Sequence, residues 1–343
     1  PGGGKHAAVA LAKAPWNPKA AQSVAAAARD AQPDVVHVHN TWFATSPAAF
    51  PAIRESVDAP IVMTLHNYRL ACANAVFLRD GQACELCVGH GPWRAVRYGC
   101  YRDSRAQSVF AAATISIGRR TGAWTDNVDR FLALTEFAKN RLIASGLPAD
   151  KVTIKPNFVP DPGPRPTPPS RSNQLLIVGR IVAGKGILTL AEAWKRSPVP
   201  GLEIVALGDG PLLAEMQAAA IPGMSFAGRV DRAEVQRLMA ESRALLFPSE
   251  YYEAMPMTLV EAFAAGLPVM CSAHGAMTEM LEPLGAGWAV PPRDPGRWSG
   301  AMKALAAEDW VDTAGVTARR LWQEIYGPGA ALRNLEAAYT FVE

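Results

Sequence analysis

Ten short apolar runs, most of them followed by a helix-like pattern or a turn, recur along the 343 residues, and this alternation constrains the fold more than any other feature. Four of them, at residues 34–39, 61–66, 130–135 and 152–155, precede a segment with six prolines in ten residues, 160–169. Six more follow it, at 174–178, 202–207, 224–226, 244–247, 269–272 and 288–290. Strands joined by helical crossovers lie parallel in a sheet covered on both faces, so the expected class is α/β with doubly wound parallel sheets. A chain that is 49% hydrophobic and 19% charged can bury two cores of this kind. The expected organisation is a first domain over 1–158, a semi-rigid proline-rich linker over 159–173, a second domain over 174–325, and a last helix within 326–343 after Gly327 and Pro328.

Charge and hydropathy exclude several partners. A net charge of +3 is too mild for a nucleic-acid-binding surface, and no basic run is interleaved with aromatics in the manner of one. The longest uncharged run, 262–278, is interrupted by Gly266, Pro268 and Gly275, so no membrane span is expected. No secretory leader is visible, although the sequence starts at Pro1 without an initiator Met.

Two stretches carry the chemistry. In the first, the apolar run 244–247 enters a loop with Glu253, and Pro256 has the fixed φ that suits the first position of a helix bearing Glu261. Gly266 suits the end of that helix, and Pro268 stops it before the next strand. A loop between a parallel strand and a helix lies where free helix N–H groups attract anions, which involves Ala254, Met255, Pro256 and Met257. In the second stretch, the run 174–178 leads into Gly179, Arg180, Gly184, Lys185 and Gly186, ahead of an apolar repeat at Leu188, Leu190, Ala191 and Trp194. Arg180 and Lys185 stand five residues apart in a glycine-rich turn, where a planar fork and a point charge can converge on one diphosphate.

These stretches, in this order and about seventy residues apart, resemble the retaining glycosyltransferases of family 4, which have the GT-B fold of two Rossmann-like domains facing a cleft. Further matches are 152–159 to the family's interdomain strand, the turn around Gly208 to its central glycine turn, and the loop with Arg229 and Val230 to its nucleotide-base loop. The resemblance spans residue 34 to the C-terminus. It implies a nucleotide-sugar donor, UDP- or GDP-linked, bound by the second domain, and a last helix that crosses back onto the first. It also implies an opening strand, glycine loop, helix and second strand before residue 34. Only Gly2, Gly3, Gly4 and an alanine-rich stretch precede that position, so the first domain is expected to be incomplete.

His66, at the end of the run 61–66, matches the histidine that the family places near the donor sugar; His39, Asn40 and Thr41 end the preceding run in the same way and are acceptor-side candidates. Glu253 matches the family's first glutamate, at the sugar hydroxyls, and Glu261 the second, at the ribose. The resemblance also implies same-face transfer with retention, with no covalent nucleophile and the departing diphosphate as base. No Asp-x-Asp occurs in the chain, so a carboxylate-held divalent metal on the diphosphate is not expected, and Arg180 and Lys185 take that role. The implied acceptor is a bacterial surface glycan or lipid-linked intermediate, reached in the cytoplasm or peripherally at the inner face of the cytoplasmic membrane. The alternatives are a nucleotide-sugar-binding homologue without transfer activity and a GT-B epimerase or phosphorylase.

Four of the five cysteines, Cys72, Cys84, Cys87 and Cys100, have the spacing C-x11-C-x2-C-x12-C. The central pair has metal-knuckle spacing, and a four-thiolate zinc would be structural because it leaves no open position; disulfides and unliganded thiols are the alternatives. Cys271 is expected in the core. Trp93, Arg94, Arg97, Tyr98, Tyr101, Arg102 and Arg105 form an aromatic and cationic patch, which a solvated surface explains or which grips an anionic glycan or lipid surface.

Overall fold

The computed structural model describes residues 11–42, 45–281, 285–306 and 308–340. The reading of Gly2, Gly3 and Gly4 lies outside these residues. The chain divides into two compact units, one formed by Pro1–Lys155 with Asn334–Glu343 and the other by Pro156–Arg333.

The first unit is built on a parallel sheet. Its strands are β1 (Val36–Val38) and β2 (Ile61–Leu65), then, after a hairpin of β3 (Leu78–Arg79) and β4 (Gln82–Ala83), β5 (Arg130–Ala133) and β6 (Val152–Ile154). The order in the sheet is β1-β2-β5-β6. β2 lies between two neighbours and is buried at all five positions, which is why it reads as an unbroken apolar run. Among the described residues β1 pairs only with β2, and its three residues are half-buried. Ala338, in the helix Pro328–Tyr339, packs with Val62 and Leu132 against this sheet. Tyr339 and Val35 flank the same contact.

The second unit holds β7 (Gln174–Val178), β8 (Glu203–Leu207), β9 (Met224–Gly228), β10 (Ala244–Phe247), β11 (Val269–Ser272) and β12 (Gly287–Val290). All are parallel, in the order β12-β11-β10-β7-β8-β9. The chain runs outward from β7 in one direction, then returns to β10 and runs outward in the other. This is the doubly wound arrangement, with its switch point between β7 and β10. Trp194 and Trp298 fill the core and are almost wholly buried. Their indole N–H groups donate to Pro222 O at 2.9 Å and Pro291 O at 3.1 Å, so the large apolar area is buried without an orphaned donor.

Two local readings need correction, and one element went unread. Pro256 caps the helix Met257–Ala264 from outside with ψ 110°, rather than forming its first turn; Gly266 follows that helix with φ +61°. Leu188 lies in the first turn of the helix Ile187–Arg196 but faces outward at 44% exposure, and Ile187 takes the inward place. The hairpin β3–β4 has two residues per strand, too few to leave a periodic signal.

Candidate functional site

In the second unit, the loops after β7, β8 and β10 meet at the carboxyl end of the sheet. Glycine makes the contact possible. A Cβ on Gly186, at φ +73°, would lie 1.9 Å from Pro248 O; one on Gly208 would lie 1.8 Å from Gly179 O, and one on Gly210 2.4 Å from Ile181 O. The loops are therefore stacked backbone on backbone. They leave a cavity of about 540 Å³ lined by Gly179, Arg180, Gly208, Asp209, Gly210, Arg229, Val230 and Val235.

Beside it, Arg180 and Lys185 line one small pocket with Phe247 and Pro248. Lys185 Nζ lies 2.6 Å from Glu253 Oε1, which also accepts from Ser249 Oγ at 2.9 Å. The ammonium sits 5.0 Å from the Phe247 ring centroid and 5.2 Å from that of Tyr251. Burial would lower the Lys185 pKa, but Glu253 and Tyr251 outweigh it and the pKa is raised, so the cation persists. Arg180 is exposed. Among the described residues its guanidinium has no hydrogen-bond or ion-pair partner.

The loop that carries Glu253 is pinned from three directions. Glu250 N–H donates to Gly184 O at 2.9 Å; its carboxylate accepts from Thr189 Oγ1 at 2.5 Å and from Arg293 Nε at 3.0 Å; His274 Nε2 bonds Ser249 O at 2.9 Å. Glu250 is only 9% exposed, and composition gave no hint of its role. Met255 is buried and its sulfur accepts from Asn157 N–H at 3.2 Å, so it offers a ligand backbone only. Glu261 is half-buried, with its pKa raised by burial against the opposing charge of Arg232. It lines a separate small pocket with Arg232, Gln236 and Pro160, away from the residues around Lys185.

In the first unit, two strand ends present a ladder of side chains. His37 and His39 follow one another at period two, as do Thr64 and His66 on the neighbouring strand. His37 Nε2 lies 2.7 Å from Thr64 Oγ1, and His39 Nδ1 lies 2.8 Å from His66 Nε2. The His37 and His39 rings stack at 4.3 Å, and Tyr339 OH meets His37 Nδ1 at 2.7 Å. Burial, then the charges of His39, Lys155 and His66, hold His37 down at about 4; burial, then His39 and Lys155, lower His66 too. Asn40 Oδ1 accepts from Trp42 N–H at 3.0 Å and Asn67 Oδ1 from Arg69 N–H at 2.9 Å, so both strands end in the same side-chain-closed turn. A pocket lined by His39, Asn40, Thr41, Trp42, His66, Asn67 and Arg69 opens there. Arg69 lies over the Trp42 ring at 4.6 Å, and burial holds its pKa down at about 10.

The family model Glycosyltransferase Family 4 matches residues 5–161, and the model Glycosyl transferases group 1 matches 172–308. The chain belongs to the family 4, group 1 glycosyltransferases. Among relatives, it is 26% identical over 254 residues to TuaC of Bacillus subtilis, named for teichuronic acid biosynthesis, covering 74% of this chain and 56% of TuaC. It is 28% identical over 199 residues to the amylovoran biosynthesis glycosyltransferase AmsK of Erwinia amylovora, covering 51% and 45%. The chain thus spans about half the length of the curated relatives it matches. The structure of HepE from Anabaena in complex with UDP superposes with a TM-score of 0.68 at 15% identity, over 92% of this chain and 81% of that one. Sucrose-phosphate synthase from Thermosynechococcus elongatus gives 0.68 at 19%, over 94% and 77%. These likenesses establish the GT-B fold.

In this family member the cysteine-rich segment follows His66 directly. None of the five cysteines is in a disulfide, and Cys271 is buried in β11. Burial, followed by the neighbouring thiols, pushes Cys87 and Cys100 up to about 11; Cys87 responds to Cys72, Cys100 and Cys84. Among the described residues no three His, Cys, Asp or Glu side chains already stand where they could hold a metal ion. Trp93 and Tyr98 are 50% and 43% exposed, with Arg79 over the Tyr98 ring at 4.5 Å and Arg97 at 5.6 Å. Arg102 lies over Tyr101 at 5.4 Å, and Arg94 donates to Leu86 O at 2.6 Å. No helix of the described residues is long and apolar enough to cross a membrane.

Proposed function

We propose that this chain transfers a sugar, with retention, from a nucleoside diphosphate carried by the second unit to a hydroxyl of a glycan or lipid-linked glycan carried by the first. The reading rests on one observation, the convergence of Arg180 and Lys185 beside Glu253 at the switch point between β7 and β10. In that arrangement the diphosphate replaces Glu253 as the partner of Lys185 and meets the exposed Arg180. The freed Glu253 turns to the sugar hydroxyls. Base and ribose take the cavity of Gly208, Arg229 and Val230, with Glu261 reaching the ribose after a change of rotamer. Charge that builds on the leaving oxygen is met by two protein cations, and no carboxylate-held divalent metal is assigned to the diphosphate.

A neutral His66, hydrogen-bonded to His39, presents one ring nitrogen as donor or acceptor to a sugar hydroxyl. UDP is the leading nucleotide because HepE, whose fold this chain shares, is in complex with UDP. The exposed aromatic and cationic patch is assigned to an anionic glycan or lipid headgroup. Zinc is the metal assigned to the four cysteines.

Calorimetry with UDP, GDP and their sugars, paired with product analysis on lipid-linked glycan acceptors, tests this. Nucleotide binding by the wild-type chain that is weakened but retained in Lys185→Ala, together with a glycosylated product of unchanged anomeric configuration, is the expected result. Binding without transfer identifies a donor-binding homologue, and a changed sugar without an acceptor identifies an epimerase.

A further inference from the structure

We infer that the pocket beside His66 takes a carboxylate, so that the sugar accepted by this chain is a hexuronate, and that Arg69 is the residue that selects it. The inference rests on the transferase reading in one respect only, that an anion bound here belongs to the acceptor. The strand end builds the site. After β2 the chain turns on Asn67, whose Oδ1 takes the Arg69 N–H, and Arg69 and Leu70 return along the pocket wall. The Arg69 guanidinium is then held by its face and one edge. It lies 4.6 Å from the Trp42 ring centroid and 5.3 Å from that of Tyr101, two rings that meet edge to face at 5.6 Å, and its Nη1 donates to Ala73 O. Among the described residues no carboxylate pairs with it. Burial lowers its pKa to about 10, opposed only by Tyr101 and Cys72. A cation taken out of water normally has an acid beside it.

The other polar groups left over in the pocket are donors as well. Trp124 lines it, seated where Gly118 makes room, since a Cβ there would lie 2.5 Å from the ring. Its indole N–H is buried with no hydrogen-bond partner. Asn40 and Asn67 use their side-chain oxygens to close the two turns, so among the described residues their NH2 groups have no protein acceptor. The hydroxyls are already engaged: Ser46 Oγ accepts from Asn17 N–H at 2.8 Å, and Thr114 Oγ1 donates to Phe110 O at 2.8 Å. Arg119, which donates to Leu70 O at 3.0 Å, adds a second cation, and among the described residues it too pairs with no carboxylate. None of the described residues that line the pocket is Asp or Glu. Donors gathered in this way lack an acceptor, and an anion supplies it.

Size decides which anion. The cavity is about 30 Å³. One water takes roughly 10–15 Å³ of such space, so two or three oxygen-sized atoms fit and a sugar ring does not. A carboxylate, with two oxygens in one plane, matches both that volume and the parallel N–H groups of a guanidinium, whereas a tetrahedral phosphate is larger. The ring that bears the carboxylate stays at the rim, where His39 and His66 are exposed. Arg94, Arg97 and Arg102 are exposed elsewhere on the surface and do not line this pocket.

NMR titration of the full chain, 15N-labelled at tryptophan, tests the assignment. Methyl glucuronide and methyl galacturonide are added at fixed ionic strength and compared with the matching methyl glucoside and galactoside, with glucose 6-phosphate as the tetrahedral anion; the Trp124 indole signal is assigned from Trp124→Phe. The uronides are expected to bind about tenfold tighter than their neutral partners, or more, and to shift the Trp124 signal. Arg69→Gln is expected to abolish the preference, and Arg69→Lys, which keeps the charge without the fork, to retain part of it. Where Arg69→Gln fails to fold, the wild-type preference and its decline with added salt still read the charge. Equal binding of charged and neutral sugars overturns the proposal, as does a uronide preference that survives in folded Arg69→Gln. A preference for the phosphate overturns it too, and so does a Trp124 signal that no uronide moves, which leaves the pocket to water. No nucleotide and no transfer step enters these measurements, so their failure leaves the donor reading standing, and loss of the donor reading leaves the anion site.

Discussion

Lys185 Nζ and Glu253 Oε1 meet at 2.6 Å across sixty-eight residues of sequence, and the pair occupies the position where a phosphate is expected. The carboxylate satisfies the ammonium. In the proposed mode of binding the donor exchanges one anion for another rather than uncovering a bare charge, which lowers the cost of keeping a buried cation in the free protein.

Removal of that cation follows directly. Lys185→Ala is expected to lower kcat roughly a hundredfold, about 3 kcal/mol, because it removes charge where the leaving oxygen develops it. Steady-state kinetics with saturating donor measure this. A rise in KM at unchanged kcat contradicts it.

The loops also tolerate no side chain at Gly186. A Cβ there meets Pro248 O at 1.9 Å, and φ is +73°. Gly186→Ala is expected to destabilise the chain by about 3 kcal/mol, read as a lower urea midpoint at unchanged slope.

Glu250 anchors the Glu253 loop to Thr189 and Arg293. Glu250→Ala leaves two polar partners without their acceptor and is expected to cost about 2 kcal/mol of stability. Because the side chain no longer ties the Glu253 loop to Thr189 and Arg293, donor KM is expected to rise as well. Glu250→Gln, which keeps an acceptor for Thr189, restores part of both.

His37 makes stability depend on pH. Its folded pKa, about 4, lies below the ordinary 6.5, so the unfolded chain binds more protons in between. The contribution is fully present above pH 6.5 and is lost as pH falls toward 4. Half-exposure of the ring screens the effect, which is then about 1–2 kcal/mol. Urea titrations across that window are expected to show the slope, and His37→Gln to flatten it.

Much of the architecture was open to reading because buried parallel strands are nearly pure runs. β7, β10 and β11 coincide with theirs. Pro256 was misplaced by one position because its fixed φ is compatible with the residue before a helix as well as with the first one. The loop that carries Arg180 and Lys185 was legible from its glycines and the strand ahead of it, and the loop that carries Glu253 from the strand ahead of it and Pro256 behind it. Glu250 was not, because its partners lie sixty-one and forty-three residues away and only the fold brings them. The pairing of His37 with Thr64 and of His39 with His66 was hidden for a similar reason. The parity of each strand is visible in the sequence, but which rung faces which depends on the register between β1 and β2.

The winding of the second unit has an evolutionary corollary. Strands β7 and β10 carry Arg180, Lys185 and Glu253 in the loops that follow them, whereas Gly208, Arg229 and Val230 hang from β8 and β9, further out on the same sheet. In the proposed mode of binding, descendants of such a chain trade one nucleobase for another by rewriting the outer turns, while the inner pair that meets the diphosphate passes unchanged from one specificity to the next.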